Sequence, residues 1–287
     1  MSESRPSVDV VVPFKGDTGQ LRDVAARLAR LELRDGDSLL IVDNTPGEVR
    51  DGTLHAPEIQ TPGYGRNRGA AAGGAEWLLF LDADVAPPPE LLELYFDPAP
   101  GSRTGIVAGG VVDEPVPLDA PLAARYAHLR GLMGQENTFN WGDWSFAQTS
   151  NAAFRREAFE AVGGFREDIR AAEDADLTYR LKAAGWEVER RERASVVHLS
   201  RGSVRRFVGQ QLLHGAGGAW LDRLYPGSVP RKRRPGLVWW GLRFSVSGLL
   251  KAAWRRDRDG AIWAVFDPLE NIAYEFGRSL RNDRPRA

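Results

Sequence analysis

The sequence predicts an α/β fold, a mostly parallel sheet flanked by helices, with a helical C-terminal extension. Three observations lead there. Apolar, β-branched runs alternate with segments whose apolar residues recur at helical spacing, the pattern of strand–helix–strand units. The strand-like runs end on polar groups, Phe14-Lys15, Asp43-Asn44 and Asp82-Ala83-Asp84, and ligands of open α/β sheets gather at the carboxyl ends of the strands. The charge balance then changes: from Pro230 to Ala287 there are 13 Lys/Arg against 6 Asp/Glu, a net of +7, while the whole chain carries −1. That asymmetry marks the tail as a region apart.

The elements follow in order. Val8 to Phe14 reads as a buried strand, and Leu21, Val24, Ala25, Leu28 and Leu31 form a helical stripe. Ser38 to Val42 is a second strand closing on Asp43-Asn44-Thr45-Pro46-Gly47, a turn sequence. A short strand near Ile59 precedes a small-residue helix, Gly63 to Ala75. Trp77 to Leu81 is a strand ending at Asp82, followed by a helix from Pro88 to Phe96 and a strand from Gly105 to Val112. The second half is less regular. Helices are expected over Leu118 to Met133, Arg155 to Val162, Asp174 to Ala184 (stopped by Gly185) and Ser203 to Leu224, with a short strand over Ala194 to His198. The expected boundaries are a domain over 1–225, with a nucleotide half at about 8–112 and an acceptor half at 113–225, and an extension over 226–287.

Composition narrows the chemistry. The 287 residues are 43% hydrophobic, enough for one large domain with an appendage. The absence of cysteine excludes disulfides, thiolate chemistry and cysteine-ligated zinc. A net charge near zero argues against a general nucleic-acid binder. Met1 to Val8 has no apolar signal core, and no run of about 20 uncharged apolar residues reads as a membrane span. The expected location is cytoplasmic, at the inner face of the membrane if the tail makes contact there.

Asp82 and Asp84 are the most informative pair. They stand two residues apart on an extended backbone, so their side chains leave the same face. Hard oxygen ligands in that arrangement suit Mg²⁺ or Mn²⁺, and a cation so held binds a diphosphate. The plainer role is turn chemistry, since Asp is common at strand ends; the buried strand before the pair favours the metal.

Several segments taken together resemble a family 2 glycosyltransferase of the GT-A fold. They are Val10-Val11-Val12-Pro13, Val42-Asp43-Asn44-Thr45, Gly65-Arg66-Asn67-Arg68-Gly69, Leu81-Asp82-Ala83-Asp84, Asn151 to Arg156 through Gly163-Gly164-Phe165, and Glu173-Asp174-Ala175-Asp176-Leu177. The resemblance covers about residues 8 to 225. It implies that Pro13, Phe14, Asp43 and Asn44 contact the base and ribose, that Arg66 lies near the nucleotide, and that Asp82, Ala83 and Asp84 form the diphosphate and metal motif. It also implies that Asp174 is the catalytic base. His198, 24 residues further on, resembles the late metal ligand of galactofuranosyltransferase-like members. The Gln-x-x-Arg-Trp pattern of processive synthases is not met, because Gln210 is followed by Gln211-Leu212-Leu213-His214.

Such a site moves a sugar from a nucleotide diphosphate sugar, a UDP-sugar first, to a carbohydrate, lipid-linked or small-molecule acceptor with inversion. Several of these residues also suit plainer roles. Acids in a first helical turn such as Glu173, Asp174 and Asp176 stabilise the dipole without catalysis, and Asp176 or Glu173 could instead touch the sugar. Trp141 and Trp144 are either core or flat stacking faces for the acceptor. The basic and aromatic stretch 231–270 suits peripheral membrane contact, a helical cap or a homo-oligomer surface. The rival classes are a sugar nucleotidyltransferase of related fold and a non-catalytic partner protein. Phe14-Lys15-Gly16-Asp17 is too short for the glycine-rich loop of the former, and the Asp82, Asp84 and Asp174 set argues against the latter.

Overall fold

The computed structural model describes residues 5–47, 49–199, 202–232 and 234–283. In chain order the elements are β1 (Val8–Phe14), α1 (Thr18–Leu28), β2 (Ser38–Asp43), β3 (Leu54–His55), α2 (Pro62–Ala72), β4 (Trp77–Leu81), β5 (Val85–Ala86), α3 (Leu91–Phe96) and β6 (Thr104–Asp113). Then come α4 (Leu122–Arg130), α5 (Glu136–Phe139), β7 (Asn151–Arg155), α6 (Arg156–Ala161), α7 (Glu173–Ala183), β8 (Glu187–His198), α8 (Val204–Leu224), α9 (Arg234–Arg255) and α10 (Arg258–Gly277). The short strand expected near Ile59 lies earlier, at β3, and the strand expected over Ala194 to His198 is the end of the much longer β8.

The described residues form two compact units. The first runs to Val112 and adds Met133–Asp168 and Glu173–Leu199. It holds one eight-stranded sheet in the order β3-β2-β1-β4-β7-β6-β8-β5. The pairs β1–β2, β1–β4 and β2–β3 are parallel, whereas β4–β7, β6–β7 and β5–β8 are antiparallel. The parallel part is the strand–helix alternation read in the sequence. Its strands β1, β2 and β4 run in one direction, so their carboxyl ends share one rim.

Burial explains why these strands read as continuous apolar runs. In β4, Trp77, Leu79 and Leu81 join one core cluster, and Leu78 and Phe80 join another. Successive side chains point to opposite faces, and both faces are covered. Phe80 meets Phe154, Phe159 and Phe165 at ring separations of 5.5, 5.6 and 5.1 Å, within the range of favourable aromatic packing. On α2 the glycines permit the close approach that large residues would block. A Cβ on Gly69 would stand 2.3 Å from a methyl of Val11, and one on Gly65 would stand 2.3 Å from the Asn44 amide oxygen.

The second unit comprises Asp113–Leu132, Ile169–Ala172 and the described residues after Leu199. Ala123, Tyr126, Phe207, Ile262 and Phe266 form its core. Helices α4 and α8, which the expected boundaries place before residue 226, pack here with α10. The reason is backbone proximity: a Cβ on Gly215 of α8 would lie 1.9 Å from the Tyr274 carbonyl oxygen, and one on Gly277 of α10 would lie 2.1 Å from that of Leu212. Among the described residues, no helix is long and apolar enough to cross a membrane.

Candidate functional site

The site is built at the common rim of β1, β2 and β4. Parallel register aligns Phe14 with Asp43, and β4 delivers Asp82 one residue past Leu81. The Asp82 backbone N–H donates to the Ser150 carbonyl at 3.3 Å, and the Val85 N–H donates to the Asp82 carbonyl at 3.3 Å. The turn is therefore fixed on both sides. It leads into β5, which pairs Val85 with His198 of β8. The Leu199 N–H donates to the Asp84 carbonyl at 2.8 Å. This antiparallel pairing sets the His198 Nε2 3.9 Å from a carboxylate oxygen of Asp84, although 114 positions separate them in the chain.

Arg66 ties the rim together. Its guanidinium is buried, donates to Asp82 Oδ1 at 2.7 Å and to Glu173 Oε1 at 2.8 Å, and lies 5.5 Å from the centre of the Phe165 ring. Its Nε has no hydrogen-bond partner among the described residues. A buried guanidinium is tolerated because two carboxylates compensate it. The bridge places α7, whose first residue is Glu173, beside the end of β4. Arg66, expected near the nucleotide, is also a structural link between Asp82 and the helix carrying Asp174.

Asp174 is partly exposed, and its Oδ1 accepts from the Ala175 N–H at 2.8 Å. Its carboxyl is pushed up to about 7, first by desolvation and then by the neighbouring Glu173 charge; the Ala175 N–H and the Arg66 cation oppose this only in part. A carboxylate with that affinity for protons is suited to accept one near neutral pH. Ala172, two residues earlier, has φ of +71°. That conformation strains a residue with a Cβ and turns the backbone sharply into α7.

Other predicted site residues have different roles. Asp43 is fully buried, and both its oxygens accept from Arg50 at 2.7 Å, with the Thr45 N–H adding 2.9 Å. The Arg50 cation, Thr45 and a backbone N–H hold its carboxyl below the usual range despite burial. Asn44 is buried and donates to the carbonyls of Ala56 (2.9 Å) and Ile59 (3.2 Å). Both side chains thus have protein partners at the end of β2, where base and ribose contacts are expected of them. Arg50 escaped the sequence reading because a lone Arg in a turn carries no motif. Its guanidinium also lies 5.3 Å from the Phe14 ring centre.

Asp176, expected as a helix-end or sugar contact, also has inward partners. Asp176 has no exposed surface and is held between Arg166 (3.2 Å) and Arg180 (2.9 Å). Glu173 is buried too and acts through Arg66. Trp141 is exposed and meets Phe146 edge-on at 6.0 Å. Trp144 stands edge-on to Tyr179 at 5.2 Å, and the Tyr179 hydroxyl donates to its carbonyl at 2.7 Å. Of the two, Trp141 is the more accessible stacking face.

Among the described residues, no three His, Cys, Asp or Glu side chains form a ready metal cage. The donors present still fit a divalent cation of the Mg²⁺ or Mn²⁺ kind, which typically takes one or two protein carboxylates and fills its shell with water and phosphate oxygens. Asp84 and His198 are close enough to share one ion. Asp82 is partly neutralised by Arg66, which makes it the weaker donor. An imidazole in the set favours Mn²⁺ over Mg²⁺.

Parallel strands ending on carboxylates, with a helix tied to them through Arg66, are the arrangement of a GT-A-type domain. Residues 53–163 match the Glycosyl transferase family 2 profile. A pre-mycofactocin glycosyltransferase from Mycobacterium tuberculosis is 29% identical over 232 residues, covering 78% of this chain and 49% of that protein. The succinoglycan biosynthesis protein ExoA of Rhizobium meliloti is 28% identical over 73% of this chain and 59% of its own. The mannosyltransferase PcManGT from Pyrobaculum calidifontis, solved with GDP-Man and Mn²⁺, superposes with a TM-score of 0.64 at 16% identity over 95% of this chain and 86% of that one. The fold is that of GT-A proteins, residues 53–163 are similar to the Glycosyl transferase family 2 profile, and the chain spans about half the length of the curated relatives it matches.

Proposed function

We propose that the chain is an inverting, metal-dependent glycosyltransferase that moves a sugar from a nucleotide diphosphate sugar to an acceptor hydroxyl, with Asp174 as the base. The observation that carries this reading is the Arg66 bridge from Asp82 to Glu173, which holds the strand-end carboxylates and the proton acceptor in one network. When the bond from the anomeric carbon to the diphosphate breaks, negative charge builds on the leaving oxygen. Asp84 and His198, with Asp82 beside them, would hold a divalent cation, which would supply Lewis-acid neutralisation of that charge.

The chain's own groups do the rest. Asp174 takes the proton of the attacking hydroxyl, a contribution of roughly 10²- to 10⁴-fold. Pro13 and Phe14 line the rim over the Asp43–Arg50 pair, and Ala83 leaves room for the diphosphate between the two Asp side chains. One base and one displacement give inversion, unlike a glycosidase that sets two carboxylates across the bond. The acceptor is a carbohydrate, a small molecule or a lipid-linked sugar, with Trp141 as its stacking face. The preferred donor is a UDP-sugar.

The test is a thermal-shift screen of UDP, GDP and dTDP with their sugars, with and without Mn²⁺, followed by assay of Asp174→Asn. A nucleotide at 100 times its dissociation constant adds about 2.7 kcal/mol. Asp174→Asn should abolish transfer and keep nucleotide binding. Near-normal turnover by that variant refutes the base assignment, and a shift only with GDP refutes the UDP preference.

A further inference from the structure

The helix α9 breaks the rule that governs surface helices. Its inner side, with Leu237, Gly241 and Ala252 buried, meets α10: a Cβ on Gly241 would touch Ile272 and Pro268, and one on Gly248 would touch Ala264. The opposite side should be polar. Instead it carries Trp239, Leu242, Val246, Leu250 and Trp254 along one stripe, exposed by 63, 58, 59, 69 and 83%. A continuous apolar patch of that kind marks an interaction surface.

Charge identifies the occupant. From Pro230 to Arg256 there are eight Lys/Arg and no Asp or Glu. Between α9 and α10 lies a cavity of about 180 Å³ lined by Phe244, Gly248, Ala252 and Trp263, with Lys251 and Arg255 also on its wall. Asp257, at the same cavity, is engaged in capping α10, where it accepts from the Gly260 N–H at 2.9 Å. Among the described residues, neither of the two cations has an acidic partner within ion-pair distance, and both are exposed. A second copy of the chain docking by the same face would bring no acid to the cations of α9, because a two-fold interface is self-complementary and residues 230–256 contain no Asp or Glu. An anionic lipid surface satisfies both features: its acyl boundary takes the apolar stripe, and its phosphates take the cations. Tryptophan suits the wet edge of such a boundary.

We propose that α9 lies in the plane of an anionic phospholipid bilayer, with the Trp239–Trp254 stripe in the headgroup–acyl boundary, and Arg243, which lies within that stripe over Trp239, and Lys251 at its flank on lipid phosphates. This goes beyond the transfer reading and does not depend on it, since Asp174→Asn should bind membranes like the parent. It also fits a lipid-linked acceptor.

The experiment is flotation of the full chain with vesicles of phosphatidylcholine, alone or mixed with phosphatidylglycerol. The chain should float with the anionic vesicles only and be released by high salt. Arg243→Gln with Lys251→Gln should weaken binding about fivefold per cation. Leu250→Ser with Trp254→Ser should weaken it by about tenfold or more. These side chains are exposed, so melting temperature should hold. Tryptophan quenching of the parent by brominated phosphatidylglycerol gives a reading that needs no variant. Absence of flotation and quenching, equal binding to neutral vesicles, or a solution dimer that Trp254→Ser dissolves would each overturn the proposal.

Discussion

Replacing Arg66 by Met tests whether the rim is held by one buried charge network. The guanidinium sits 2.7 Å from Asp82 and 2.8 Å from Glu173. With charge centres about 4 Å apart, each pair contributes roughly 4 kcal/mol at an effective dielectric of about 20. Desolvation of the buried Arg offsets much of that, so the sum is not the net value of the network. Removing the cation is another matter, because it strands Glu173, whose side chain is only 9% exposed, whereas Asp82 at 30% reaches water. Breaking a buried pair this way costs about 3–5 kcal/mol, and screening at Asp82 sets the expectation near 3–4.

In a domain of this size that lowers the melting temperature by roughly 2–4 °C per kcal/mol. The assay is urea unfolding of the parent, Arg66→Met, Glu173→Leu and the double variant. The double variant should recover about 2 kcal/mol or more of the sum of the single losses, since removing Glu173 removes the stranded charge. A loss under about 1 kcal/mol for Arg66→Met, or single losses that add within about 0.5 kcal/mol, would refute a coupled network.

Four further predictions rest on the site and on the packing of α8 against α10. Asp174 is raised to about 7 chiefly by burial and next by Glu173, so kcat/KM should rise with pH through that region and level above it, and Glu173→Gln should move the limb to lower pH. The same shift means that the folded state binds more protons than the unfolded state between the ordinary carboxylate range and about 7. Stability should therefore fall as pH rises through that window, and Asp174→Asn should flatten the fall. His198→Ala should weaken Mn²⁺ binding by about tenfold or more in calorimetry, as loss of even an outer-sphere partner does, while leaving metal-free melting near the parent's. Gly215→Ala should destabilise α8 and α10 by about 1–3 kcal/mol or more, because its Cβ would meet the Tyr274 carbonyl oxygen at 1.9 Å and a backbone atom cannot swing aside; an unchanged melting curve refutes that contact.

The sequence by itself determined the order of strands and helices in the first half and the placement of Asp43 and Asp82 at strand ends. It also placed Asp174 in the first turn of α7. Those facts are local: alternation along a strand, a stripe on a helix and a turn signal are written in neighbouring residues. Only the tertiary structure decided which of these groups meet. Asp84 lies beside His198 because β5 and β8 pair antiparallel, and Arg66 reaches both Asp82 and Glu173 from α2, which packs on β1 and β2. Asp176 and Asp43 have inward partners in Arg166, Arg180 and Arg50 that no local sequence signal announced. A buried carboxylate must find a cation or donors, and where that partner lies depends on sheet order and helix packing, which no short window of sequence contains.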